Sequence, residues 1–232
     1  VIYTNSMPPN FAVAWSGFQT REQMTPAQAM KRRFAPIPAG MAWGGAWEYA
    51  WLRARVALPP ESAGKRIIFR CGEPAAFSGK PGGEGRFVVN GRDAGACDWA
   101  HPETLLTRRA KAGQAWDILL ELYAGHGPTP CAAGPLLEGE TAVPEAPQAQ
   151  QRIPVATFGV WEEEAFQTWM DLQTLIEIRD HQDPESLRVA RIDAGLRRFC
   201  AAFDPEQPAA TRLAALRRAH RGLVPLMACR NG

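Results

Sequence analysis

The sequence predicts a mainly β protein with α-helix after it: an antiparallel β-sandwich followed by a helical segment of about three helices. Three observations carry this expectation. Residues 47–58 and 115–124 alternate apolar and polar side chains, the period of a half-buried strand. Asn90-Gly91 separates two short runs, and both residues accept the positive φ of a tight hairpin turn. Beyond about residue 165 the Gly and Pro punctuation gives way to apolar residues at helical spacing.

Residues 1–42 read as an N-terminal extension with little pattern. Thr25-Pro26 followed by Ala27, Ala29 and Met30 predicts a short helix, with Thr25 as cap and Pro26 at the first helical position. Residues 31–38 fit strand or loop equally. The sandwich is expected over 43–162. Its first clear strand runs from Trp47 to Leu58, with Ala50, Leu52, Ala54, Val56 and Leu58 on one face. Tyr49, Trp51, Arg53 and Arg55 take the other face. Pro59-Pro60 ends the strand because proline cannot donate to a ladder. Gly64 closes the turn into a strand from Lys65 to Cys71. Residues 72–85 form a Gly/Pro-rich loop, and Phe87–Val89 enters the hairpin. Residues 115–124 place Trp116, Ile118, Leu120 and Leu122 on one face. Residues 125–150 read as a long loop, and Ile153–Trp161 as a returning strand.

The helical segment is expected over 163–232. Its first helix runs from about Glu163 to Asp180, with Phe166, Trp169, Gln173 and Ile176 at helical spacing. Asp183-Pro184 is the expected start of the second, with Leu187, Ala190, Ala194 and Phe199 or Phe203 facing inward. Asp204-Pro205-Glu206-Gln207 is the expected start of the third, as a capping box. Leu213, Leu216, His220 and Leu223 then share a face.

Composition excludes several classes. A net charge of +2 argues against nucleic acid or membrane surfaces as partners. No run approaches eighteen apolar residues, so no transmembrane helix is expected, and residues 1–20 lack the layout of a signal peptide. Cys71, Cys97, Cys131, Cys200 and Cys229 are widely spaced with no Cys-x-x-Cys pair. That usage fits reduced thiols in a cytoplasmic protein and no metal site in this chain.

Catalytic motifs are sparse. The loop from Gly72 to Lys80 fails as a phosphate cradle, because Pro81 stands where Ser or Thr should bind magnesium. No Gly-x-Ser-x-Gly elbow exists. Glu84, Asp93, Asp98, Glu103 and Glu121 qualify by type for a paired-carboxylate glycosidase, but each also has a structural explanation. Asp98 is expected to cap the turn before His101-Pro102 by accepting from local amides. Among the eight tryptophans most are expected in the core. Trp99, beside Asp98 and His101, is the best placed to stack on a sugar. No catalytic residue is assigned; Asp98, Trp99 and His101 are candidates for the rim of a substrate pocket.

Several segments together resemble the N-terminal β-domain of family-38-type α-mannosidases, in the bacterial and yeast-vacuolar branch. They are Trp47-Glu48-Tyr49-Ala50-Trp51-Leu52-Arg53, Leu58-Pro59-Pro60-Glu61-Ser62-Ala63-Gly64-Lys65, Gly83-Glu84-Gly85, Asn90-Gly91, Asp98-Trp99-Ala100-His101 and the stretch from Leu226 to Gly232. The resemblance covers about Trp43 to Gly232. It implies a jelly-roll version of the sandwich, with the helices leading to a catalytic domain beyond Gly232. That domain would hold zinc or another divalent ion in a His-x-Asp segment and use an aspartate nucleophile in a retaining reaction on α-mannosides. None of those residues has a counterpart in this chain. The resemblance thus implies a non-catalytic fragment whose partners are its own catalytic domain, a mannose-containing saccharide and, at a subunit contact, other copies in a homo-oligomer. Two other readings stay open: a free-standing carbohydrate-binding module and a structural interaction domain.

Overall fold

In the computed structural model the described residues are 13–72, 83–125 and 149–228. Two compact units divide between Val160 and Trp161. Most of the two long loops expected at 72–85 and 125–150 lies outside the described residues, as does the start of the expected extension.

The first unit is built on a six-stranded antiparallel sheet. Its strands are β1 (Trp15–Thr20), β2 (Ala35–Ile37), β4 (Tyr49–Ala57), β6 (Glu84–Val89), β7 (Arg92–Cys97) and β9 (Ala115–Tyr123), in the order β2-β1-β4-β9-β6-β7. A second, three-stranded antiparallel sheet orders β11 (Ala156–Val160), β5 (Ile67–Cys71) and β8 (Glu103–Thr107) as β11-β5-β8. Two residues each from β3 (Ala42–Trp43) and β10 (Gln151–Arg152) make a small third pair. The expected strand from Ile153 to Trp161 is thus shorter and starts at Ala156. Pro154, buried ahead of it, cannot donate to a ladder and instead accepts from Trp15 Nε1 at 2.9 Å.

Alternation decides which faces meet. Ala50, Leu52, Ala54 and Val56 of β4 and Trp116, Ile118, Leu120 and Leu122 of β9 point inward as expected. They join Ile67, Phe69 and Cys71 of β5 in one apolar core between the two sheets. Phe69 meets Phe87 and Trp15 edge-on, at 6.1 and 5.8 Å between ring centroids, the arrangement ring quadrupoles prefer. Each large side chain fully buried here stabilises the fold by about 1.5–3 kcal/mol.

The outer face of the larger sheet is not simply solvated, as alternation implied. Trp51, expected on the polar side, is fully buried with Val88, Leu119, Met24 and Ala29. The cover comes from residues expected to be an extension. The short helix α1 (Pro26–Ala29) has the predicted Thr25 cap, completed as a capping box by Gln28. Phe18 and Phe34 pack edge-on beside it at 5.2 Å. Residues 15–37 therefore supply two strands and a lid of this sheet.

The Asn90-Gly91 turn forms as predicted, with φ of 49° and 76°. Asn90 Oδ1 accepts from the Asp117 amide at 2.9 Å, which ties the turn to β9. The pairing of β6 with β7 shifts register between Phe87 and Val88, a bulge that carries Gly95 at φ 117°.

The second unit holds α2 (Glu163–His181), α3 (Leu187–Ala202), α4 (Ala209–His220) and a one-turn α5 (Val224–Met227). Its core is Ala165, Leu175, Ile192, Phe199, Leu216, Ala219, Leu223 and Leu226. The first helix ends within a residue of expectation, but its inward face is Ala165, Thr168, Leu172 and Leu175. Gln173 and Ile176 are exposed. Small Ala165 and Thr168 sit inside, and Phe166 and Trp169 are left on the flank, with Phe166 4.9 Å from Trp161.

The next two helices start later than expected. Asp183 Oδ1 accepts from the Glu185 amide at 3.0 Å, a local turn that competes with helix. The cap is Ser186, whose hydroxyl accepts from the Val189 amide. The inward face of α3 shifts with it to Val189, Ile192, Gly195 and Phe199, leaving Leu187, Ala190 and Ala194 exposed. Asp204 likewise closes a turn onto the Glu206 amide at 2.8 Å. Pro208 holds Gln207 out of helical conformation, and α4 begins at Ala209 without a capping box. Its face of Leu213, Leu216, His220 and Leu223 is as expected.

Candidate functional site

Residues 98–102 join β7 to β8, so each end of the segment is fixed by a strand. Asp98 organises it. Its Oδ1 accepts from the amides of Ala100 at 2.8 Å and His101 at 2.7 Å, the turn expected from sequence. The same carboxylate takes His101 Nδ1, at 2.9 Å to Oδ1 and 3.1 Å to Oδ2. The His101 side-chain hydrogen bond, joined by those two amides, holds the Asp98 carboxyl below the usual carboxylate range. With Nδ1–H donated to Asp98, the Nε2 of a neutral imidazole is an acceptor. At the far end Pro102 is buried and its carbonyl accepts from the Cys71 amide at 2.8 Å.

Trp99 stands in the middle of this turn, 69% exposed. Of the three residues singled out from sequence, Asp98 and His101 are in contact, and Trp99 is exposed within the same turn. An indole face suits the apolar side of a pyranose ring, and the polar pair suits hydroxyl groups. Of the other tryptophans weighed for stacking, Trp43 and Trp51 are core residues, while Trp47 is 58% exposed with φ 63°.

Three of the remaining carboxylate candidates form ion pairs. Glu121 Oε2 accepts from Arg86 Nε at 2.7 Å, with Asp93 3.4 Å from the same guanidinium. Glu103 pairs at 2.5 Å with Arg70, whose side chain is 3% exposed. Glu84 is exposed at the first position of β6. Among the described residues, no three His, Cys, Asp or Glu side chains converge as a metal ligand set. No described helix is long and apolar enough to cross a membrane.

Sequence reasoning missed one cluster in the helical unit. His220 of α4 is 10% exposed and stands with Nε2 2.7 Å from Asp171 Oδ2 and Nδ1 3.5 Å from Glu164 Oε1. Arg217 reaches the other oxygen of Glu164 at 3.5 Å. His220, Glu164 and Arg217 edge a cleft of about 440 Å³ with Trp161 and Gln167. The available signal was the seven-residue spacing of Glu164 and Asp171, which puts both on one side of α2.

These features define a two-sheet antiparallel sandwich with a separate helical unit after it. The family model described as α-mannosidase, jelly roll domain, matches residues 10–127, and the chain belongs to that family. Mouse (Mus musculus) α-mannosidase 2C1 is 27% identical over 92 residues, which is 35% of this chain and 9% of the mouse protein. The matched stretch is thus a small part of that relative. Among solved structures, Faecalibacterium prausnitzii β-glucuronidase aligns at 15% identity and TM-score 0.38, covering 65% of this chain and 31% of that one. The β-glucuronidase from Ruminococcus gnavus in complex with D-glucuronic acid aligns at 14% identity and TM-score 0.43, covering 69% and 32%. At these scores neither says anything about what this chain binds.

Proposed function

We propose that the chain is the N-terminal, non-catalytic part of a retaining α-mannosidase. The observation that carries this reading is the family membership of residues 10–127 in the α-mannosidase jelly-roll domains. In such an enzyme the sandwich and the helices flank a catalytic domain that follows them. The divalent ion and the nucleophile belong to that domain; in this chain Glu103, Glu121 and Asp98 are engaged in ion pairs or a turn. The parent acts on α-mannosides in the cytoplasm, where free thiols persist. The Asp98–His101 turn contributes to the rim of its substrate pocket, with Trp99 against a sugar face.

The test compares the 232-residue chain with the product of the same reading frame extended past Gly232, using 4-nitrophenyl α-mannoside. The short chain is expected to give no turnover, and the longer one turnover that chelation abolishes. Hydrolysis by the short chain, or a frame that closes without a catalytic domain, overturns the reading. A free-standing carbohydrate-binding module is the second reading, favoured by the exposure of Trp99. Titrating methyl α-mannoside while following the Ala100 and His101 amide resonances separates them. Saturable shifts in the isolated chain support the module.

A further inference from the structure

The two cysteines of the sandwich core sit at the two roots of the Trp99 turn. Cys97 is the last residue of β7 and immediately precedes Asp98. Cys71 is the last residue of β5, and its amide is bonded to the carbonyl of Pro102, the residue that closes the turn. One strand belongs to the six-stranded sheet and the other to the three-stranded sheet. Both side chains are fully buried in the same apolar core, beside Phe69 and Phe87. The Cys97 thiol is a near neighbour of the Cys71 thiol and acts on it directly. Neither takes part in the function proposed above.

We propose that Cys71 and Cys97 form a redox-responsive staple that joins the two sheets at the base of the Asp98–Pro102 turn and fixes the display of Trp99. With a low-molecular-weight disulfide such as glutathione disulfide as oxidant, the step balances. One protein thiol loses its proton and attacks a glutathione sulfur. The glutathione S–S bond breaks, and one glutathione leaves as thiolate and takes up a proton. The second protein thiolate attacks the mixed disulfide, and the second glutathione leaves. Two protein thiols are oxidised to one disulfide, and one glutathione disulfide is reduced to two thiols.

The core sets the rate. Burial, and after it the neighbouring Cys97 thiol, pushes the Cys71 thiol well above its ordinary value. A buried thiol reacts only when it opens to solvent and base. The staple therefore closes slowly, on exposure to a sustained oxidant, and stays closed once the core repacks around it. Its effect reaches the turn by the shortest route. The crosslink ties the residue before Asp98 to the residue whose amide holds Pro102.

The test uses the full chain with Cys131, Cys200 and Cys229 changed to Ser, so that only Cys71 and Cys97 remain. Excess glutathione disulfide is added and the intact mass followed without reductant. A loss of about 2 Da, a crosslinked Cys71–Cys97 peptide and several-fold slower exchange of the Ala100 and His101 amides are expected, all reversed by dithiothreitol. Further substitution of Cys97→Ala abolishes the loss of 2 Da. Two thiols that remain free after the Ala100 and His101 amides have fully exchanged overturn the proposal. So does a persistent glutathione adduct on either cysteine, or a crosslink that leaves exchange in the turn unchanged. None of these outcomes depends on α-mannosidase activity.

Discussion

His220 of α4 and Asp171 of α2 meet with Nε2 2.7 Å from Oδ2, and the two side chains are only 10% and 13% exposed. This contact is a polar link inside an otherwise apolar helical core. Changing His220→Ala leaves the Asp171 carboxylate largely buried without that donor, at a cost of about 2–4 kcal/mol in urea unfolding. His220→Ala combined with Asp171→Ala should cost less than the sum of the two single changes. Additive losses would show that the two side chains do not interact.

The stretch of β6 against β9 tolerates no side chain at Gly85, because a Cβ there would run into the Glu121 backbone carbonyl. The ladder itself would have to shift, so Gly85→Ala should cost more than about 3 kcal/mol. Gly64 also has a positive φ, of 79°, but a Cβ there meets nothing within 4 Å. Gly64→Ala should cost only the left-handed backbone penalty of about 1–2 kcal/mol. The order of the two melting temperatures checks this.

The hairpin turn separates backbone from side-chain effects. Asn90→Gly keeps the positive φ and loses only the bond to the Asp117 amide, about 1 kcal/mol. Asn90→Ala loses that bond and also replaces a residue whose short amide side chain tolerates the left-handed region with one that does not, so it should cost about twice as much. Equal losses for the two variants would mean that the conformation carries no strain.

Acid should loosen the Trp99 turn. The Asp98 carboxyl is held below its ordinary value, chiefly by His101. Its contribution to the fold is therefore complete above the unfolded carboxylate value near about 3.9 and is lost as pH falls through the lower, folded value. Exchange of the Ala100 and His101 amides should accelerate below about pH 4, relative to intrinsic rates. In Asp98→Asn that acid step should be absent. A step that survives in the variant would have another source.

The strands that alternate cleanly were legible in the sequence. β4 and β9 each bury one full face, and Asn90-Gly91 accepts only a tight turn. β1 was hidden because Ser16, Gly17, Gln19 and Thr20 offer little apolar signal. Gly17 is required there by the closeness of the Trp51 carbonyl, 2.5 Å from where a Cβ would stand. β8 was hidden because it follows Pro102 directly and is only five residues long. The phase of α3 was misread because two capping residues, Asp183 and Ser186, stand three apart, and only packing selects the second. At the candidate site, the Asp98 turn was readable because it is local in sequence. The His220 cluster was not, because its members lie 49 and 56 residues apart.

Both borders of the six-stranded sheet are poor templates. β2 is three residues long and carries Pro36, which offers no N–H to a neighbour. β7 is kinked by its bulge, with Gly95 at φ 117° and charged Arg92 and Asp93 at its start. An incoming strand finds no straight, unsatisfied row of donors and acceptors on either side. This sheet is thereby protected against edge-to-edge polymerisation, a hazard for any β-rich segment held at high local concentration.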